Sequence, residues 1–162
     1  MSNTSIAISH DLTSRVLQEG YGSEAWHGPE LKAALADVTP ELAFWRPGEG
    51  RHNIAEVALH HAFCVRSVRE KLSGRAPEAF VLDGEDWFAL SAGGALSWPE
   101  IAAAIDKEQQ QLATLVPDLA SGRTRGPLAD ADRFALVLGI TCHAVYHAGQ
   151  IQLIKKLAGA TP

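Results

Sequence analysis

Two histidines stand four residues apart in the run HAVYHAGQI, at His143 and His147. In a helix this spacing puts both imidazoles on one face, a turn apart. It is the spacing by which one helix offers two nitrogen ligands to one metal ion. The stripe Leu136, Ile140, His143, His147, Ile151 and Ile154 is otherwise apolar, so both rings are expected to face the interior. A polar group buried there without partners costs roughly 2–7 kcal/mol. A third imidazole from a facing helix would complete a three-histidine set with a position open to water, as in catalytic rather than structural zinc sites. The run IAEVALHHAF supplies two candidates, His60 and His61. Periodicity through Ile54, Val57, His61, Val65, Val68 and Leu72 favours His61, with His60 on the flank beside Glu56 and Cys64. That segment is apolar almost all round, so periodicity leaves both open.

Several neighbours could support such a site. Gln150, three residues after His147, can orient a ligand ring or a bound water, or make a cap or interhelix hydrogen bond. Glu56, one turn before His60, can reach that ring's outer nitrogen, but a capping box with Asn53 is the preferred reading. Cys64 reads as a small buried hydrophobe, and Cys142 as core or interface packing. The four tryptophans, Trp26, Trp45, Trp87 and Trp98, lie in or beside irregular stretches. They either plug an open end of the fold or wall a pocket, and Trp87 is the best pocket candidate. His10, His27 and His52 fall near helix ends, where surface or capping roles suffice. Arg123 and Arg125 read as a solvated loop.

The elements that must position these residues are helices. The first is expected over Ile6 to Glu19, ended by GYGSEAWHGPE. PELKAALADVTPELAFW adds one or two short helices. The second long helix starts at Asn53, an N-cap with Glu56 three residues on, and runs to about Leu72 before Gly74. The third starts at Ser97 and stops near Val116, before Pro117. The fourth starts near Asp130 or Ala131 and ends by Leu157, with Lys155 and Lys156 at its C-terminus. AFVLD is the one strand-like run. Four long helices in 162 residues imply one all-α domain over 1–162, a four-helix bundle. The long stretch between the second and third helices can cross that bundle.

Composition narrows the function classes. A formal charge of −5 is a poor match for a phosphate backbone, so nucleic acid is not an expected partner. No apolar run approaches the roughly 20 residues that span a bilayer, and MSNTSIAISHDL lacks a signal peptide's regions. The expectation is a cytoplasmic protein without membrane contact and with its two cysteines reduced. There is no CxxC, phosphate loop, nucleophile elbow or dinucleotide motif.

The runs RHNIAEVALHHAF and GITCHAVYHAGQIQLIKKL resemble the DinB superfamily of metal-binding four-helix bundles. AWHGPELKAAL, RPGEGRHNIAE and GEDWFAL extend the likeness over most of the chain. The resemblance implies an up-down-down-up bundle and a metal held by His60, His143 and His147. It selects His60 over His61 because a second-helix motif like I-x-E-x-x-x-H matches Ile54, Glu56 and His60 without gaps; His61 falls where such proteins usually carry an apolar residue. It further implies a divalent ion, zinc or nickel before iron or manganese, a homodimer, and a small-molecule substrate. Family members include transferases that join a low-molecular-weight thiol to an electrophile, and a mycothiol-dependent isomerase. The leading expectation is therefore a metal-dependent enzyme of the small-thiol S-transferase type. The alternative is a non-enzymatic metal-binding stress-response or interaction protein, for which the apolar girth of the second helix hints at a dimer surface.

Overall fold

Two capping arrangements start the helices that matter most. At Asn53 the side chain accepts from the Glu56 amide at 2.8 Å, and Glu56 closes the box on the Asn53 amide. At Ser97 the backbone amide and the hydroxyl both donate to the Glu100 carboxylate, at 2.7 and 2.6 Å. The computed structural model describes residues 10–22 and 25–159. It is all-helical, with α1 (His10–Tyr21), α2 (Leu31–Leu35), α3 (Pro40–Phe44), α4 (Ile54–Ser73), α5 (Trp98–Ala120) and α6 (Asp130–Gly159). No strand occurs among the described residues, and AFVLD lies in the irregular crossover between α4 and α5. The expected start of the first helix at Ile6 lies outside the described residues.

Side-chain pairings fix the relative directions of the long helices. Gly20 lies against Thr141 and Ala144, while Thr13 shares a cleft with Arg133 and Val137, so α1 and α6 run the same way. His60 meets His143, and Leu72 meets the cleft of Phe134 and Val137, so α4 opposes α6. His61 meets Gln109, and Leu72 lies with Val116 and Leu119, so α4 and α5 run together. The Tyr21 hydroxyl donates to Asp106 at 2.7 Å, and Thr13 lies with Val116, so α1 opposes α5.

The apolar core has two halves. One gathers Ile54–Leu59 of α4 with α2, α3, the crossover residues Phe88 and Leu90, the start of α5 and the end of α6. The other joins Leu17, Val65, Leu72, Leu112, Val116, Val137 and Ile140. Between them lies a buried polar layer of His60, His61, Gln109, Thr141 and His147. Such a layer is tolerable only if its members are hydrogen-bonded to one another.

Four expectations are corrected. α5 does not stop before Pro117 but continues to Ala120. So near the end the ring removes only one amide donor, and the Ser121 amide still bonds the Pro117 carbonyl at 2.9 Å. Of the two expectations for Cys142, core packing is overturned, because the residue is exposed in the chain, and interface packing is unaffected. The girth of α4 is consumed within the chain: Ile54 to Ala62 are all buried, against α3, α5 and α6. Finally, α6 is by length and composition apolar enough to cross a membrane. Its apolar residues are spread round the helix, so no single run reveals it. One side packs against α1, α2 and α4, and the other exposes Leu138, Tyr146, Leu153 and Leu157.

Candidate metal centre

Consecutive positions on α4 differ by about 100° in direction, so His60 and His61 leave the helix on different sides. Both are buried. α6 supplies His143 and His147 from one face. Three ring nitrogens converge: His143 Nε2 is 3.2 Å from His60 Nε2 and 3.0 Å from His147 Nε2. His60, His143 and His147 each offer a donor atom within 4.8 Å of the others. Two nitrogens bound to one tetrahedral zinc at about 2.0–2.1 Å are separated by about 3.3 Å, so the donor set fits a metal of that size.

Each ring is held from behind by its other nitrogen. His147 Nδ1 donates to Gln150 Oε1 at 2.6 Å, and the Gln150 amide donates in turn to the Tyr146 hydroxyl at 3.0 Å. His60 Nδ1 donates to the Asp86 carbonyl oxygen at 2.9 Å, with the Asp86 carboxylate 3.1 Å away. These bonds place the protons of both rings on Nδ1 and leave both Nε2 lone pairs turned inward. His143 Nδ1 faces His61 Nδ1 at 2.8 Å, in rings inclined by 19°, and His61 Nε2 faces the Gln109 amide nitrogen at 2.8 Å. His61 is thus turned away from the convergent trio and stands behind His143.

The environment disfavours protonation of His143, His147 and His61. Burial, helped by His147 and His60 and opposed by Asp86, depresses His143 to about 4. Burial lowers His147 as well, with His60 and His52 adding to it and the bond to Gln150 working against it. Burial first, then His143, His147 and His60, push His61 well below the ordinary imidazole value. An imidazole that stays unprotonated keeps the lone pair a metal needs.

The crossover closes one side. Trp87 stacks face to face on His60, with ring centroids 3.9 Å apart and planes within 4°, and on its other face against His52 at 3.8 Å. The preceding residue, Asp86, takes a left-handed backbone (φ 62°), costly for most residues but tolerated by Asp; its carbonyl reaches His60. Glu56 does not touch His60. Its carboxylate binds Arg46, takes the Leu90 amide at 2.9 Å and His52 Nδ1 at 3.0 Å, and completes the N-cap box. Burial would raise the Glu56 pKa, but hydrogen bonds from Arg46, Leu90 and His52 lower it overall. It is the knot that ties the crossover to the start of α4.

Cys64 lies 3.8 Å from His60 Nε2, and with Asp86 it forms a second triple around the same ring. Burial and then Asp86 push its thiol up to about 11, so it stays protonated at neutral pH and is the weaker ligand. Trp98 is buried and donates to the Val38 carbonyl at 2.8 Å, while Trp26 is exposed. The His27 ring lies 2.7 Å from the Glu19 carbonyl, and Arg123 pairs with Asp118. The side chain of His10 lies outside the described residues. Sequence reasoning missed Asp86, Gln109 and Arg46. Asp86 acts through its backbone, which leaves no mark in residue type. Gln109 is one of three consecutive glutamines, Gln109–Gln111, of which only the helix face selects the first.

The fold and site define an all-helical protein with a candidate three-histidine metal centre in a polar layer across its core. The family model of the DinB superfamily matches residues 25–151, a span holding all four of these histidines and Gln150. The chain belongs to the DinB superfamily. Searches of curated proteins and of solved structures return no match.

Proposed function

We propose that the protein is a divalent-metal enzyme that activates a small thiol for transfer to an electrophile, the metal held by Nε2 of His60, His143 and His147. One observation carries the reading. Three imidazole nitrogens converge, and each ring is fixed by a hydrogen-bond partner on its outer nitrogen. A divalent ion bound there supplies a Lewis-acid centre that lowers the pKa of a thiol or water. Imidazole ligation favours zinc or nickel over iron or manganese. Trp87 and Tyr146, stacked on His60 and set edge-on to His147, offer an aromatic rim. A cleft of about 600 Å³ lined by Pro47, Arg51, His52, Gln150 and Leu153 adjoins the site through His52 and Gln150. It offers room and one cation for the rest of a substrate. The helix directions support an up-down-down-up four-helix bundle in a single domain. The exposed apolar side of α6 is the face we assign to a homodimer, and we read the protein as cytoplasmic.

Elemental analysis of the purified protein tests this directly. About one metal per chain is expected in the wild type and none in His147→Ala; equal metal content in both would overturn the ligand set. The second reading, metal binding without turnover, draws on Trp87, whose stack covers one ring of the site. Thermal-shift measurements with small thiols separate the two: stabilisation by thiol that requires metal supports the enzyme.

A further inference from the structure

We infer that Gln109 and His61 are positioning residues that set which nitrogen of His143 carries its proton, and thereby control loading of the site. The inference rests on the ligand set proposed above. The argument is one of donors and acceptors. A neutral imidazole has one of each, so in a chain of rings the polarity of one bond fixes all the others. The Gln109 amide nitrogen, 2.8 Å from His61 Nε2, can only donate. His61 must therefore carry its proton on Nδ1 and donate to His143 Nδ1, 2.8 Å away. His143 is left with its proton on Nε2, pointing at the Nε2 atoms of His147 and His60 at 3.0 and 3.2 Å. Both of those are bare acceptors, because their own protons are committed to Gln150 and Asp86. Every ring N–H in the metal-free layer thus has an acceptor.

This arrangement cannot bind a metal, since His143 Nε2 carries a hydrogen where a ligand needs a lone pair. A half-turn of the Gln109 carboxamide presents its oxygen to His61 and reverses the chain. His61 then holds its proton on Nε2 and donates to Gln109, while His143 holds its proton on Nδ1 and donates to His61. Its Nε2 lone pair is freed. Each ring keeps one proton throughout, so no proton leaves the layer. Gln109 suits this task because its side chain is both donor and acceptor. It is also nearly fully buried, as is His61, so no water competes for the bond.

The test combines nitrogen-15 NMR of the histidine rings with zinc affinity measured against a competing chelator. In the metal-free wild type, His143 is expected as the Nε2–H tautomer; in the zinc-loaded protein as Nδ1–H, with His61 as Nε2–H. His61→Leu removes the partner of His143 Nδ1, and Gln109→Leu removes the end of the chain. Each leaves the three proposed ligands in place. Zinc affinity is expected to fall ten- to hundredfold in His61→Leu, the usual effect of losing an outer partner of a ligand. A smaller fall is expected in Gln109→Leu, with the fixed tautomer of His143 lost. If the wild type binds zinc and both variants bind it equally, the relay is overturned and the ligand set stands. If the wild type binds no zinc, the ligand set falls and the metal-free spectrum alone decides: Nε2–H on His143 upholds the relay, Nδ1–H overturns it. Should His61→Leu fail to fold, Gln109→Leu and the wild-type spectra still decide.

Discussion

Acidifying the metal-free protein should destabilise it through the histidine layer before its carboxylates titrate. His143 sits at about 4 in the folded chain, against about 6.5 for an unfolded histidine. Between those values the unfolded chain binds a proton that the folded chain refuses, so stability rises with pH across the window and is lost as pH falls through it. For His143 alone, the linkage relation gives a loss of about 0.2 kcal/mol at pH 7 and about 2 kcal/mol at pH 5. His61 and His147 are lowered too and act in the same direction, with the three rings titrating as a coupled group. Urea unfolding in EDTA at pH 7.5, 6.5, 5.8 and 5.0 measures the slope. A fall of at least about 2 kcal/mol between pH 7 and 5 is expected, against a total stability on the order of 5–15 kcal/mol for a domain. His143→Gln should remove a large share of that slope, whatever it does to stability at pH 7.5. A flat profile from pH 7 to 5, or an unchanged slope in His143→Gln, would refute the claim that burial keeps these rings neutral.

Glu56→Ala should cost about 3–4 kcal/mol, from a buried charged hydrogen-bond acceptor and half of a capping box, read as a lower urea midpoint. Cys142, exposed, should react with a thiol reagent at pH 8 well before Cys64, whose thiol is pushed up to about 11; mass mapping of the first-labelled site checks this. Gly126→Ala should be destabilising at the upper end of the roughly 1–3 kcal/mol typical of overpacking, because the added Cβ would lie 2.0 Å from the Leu72 carbonyl oxygen. Thermal denaturation would show it, and an unchanged melting temperature would mean that the last loop moves aside freely.

How much was legible in the sequence depended on whether the signal was local. The starts of α4 and α5 were readable because Asn53–Glu56 and Ser97–Glu100 carry their caps within four residues. The inward face of α6 was readable in part from one stripe: Ile140, His147, Ile151 and Ile154 are buried, but so are Val137, Thr141, Ala144 and Ala148 beside it, while Leu136 and His143 are half-buried. The choice between His60 and His61 was not, because α4 is buried all round from Ile54 to Ala62. A helix without a polar side has no phase to count from. The structure brings His60 to the convergent trio and sets His61 behind His143, where periodicity had favoured His61. The roles of Asp86, Trp87 and Glu56 were hidden for another reason. They depend on how a 24-residue crossover between Ser73 and Trp98 folds back, and its contacts join positions 26 to 44 residues apart. Pro117 misled because its helix-breaking force is weakest in a last turn.

The distance along the chain between His60 and His143 also has a consequence during synthesis. They are 83 positions apart, and His147 follows four residues later. At roughly 5–20 residues per second on the ribosome, α4 waits about 4–17 seconds before α6 appears. During that interval its two histidines have no nitrogen partner from α6. On the proposed ligand set, metal acquisition would therefore be a late event in the life of each molecule. Among the described residues, a nascent chain that has not yet made α6 offers the Cys64, His60 and Asp86 triple, whose thiol is a poor competitor while it stays protonated.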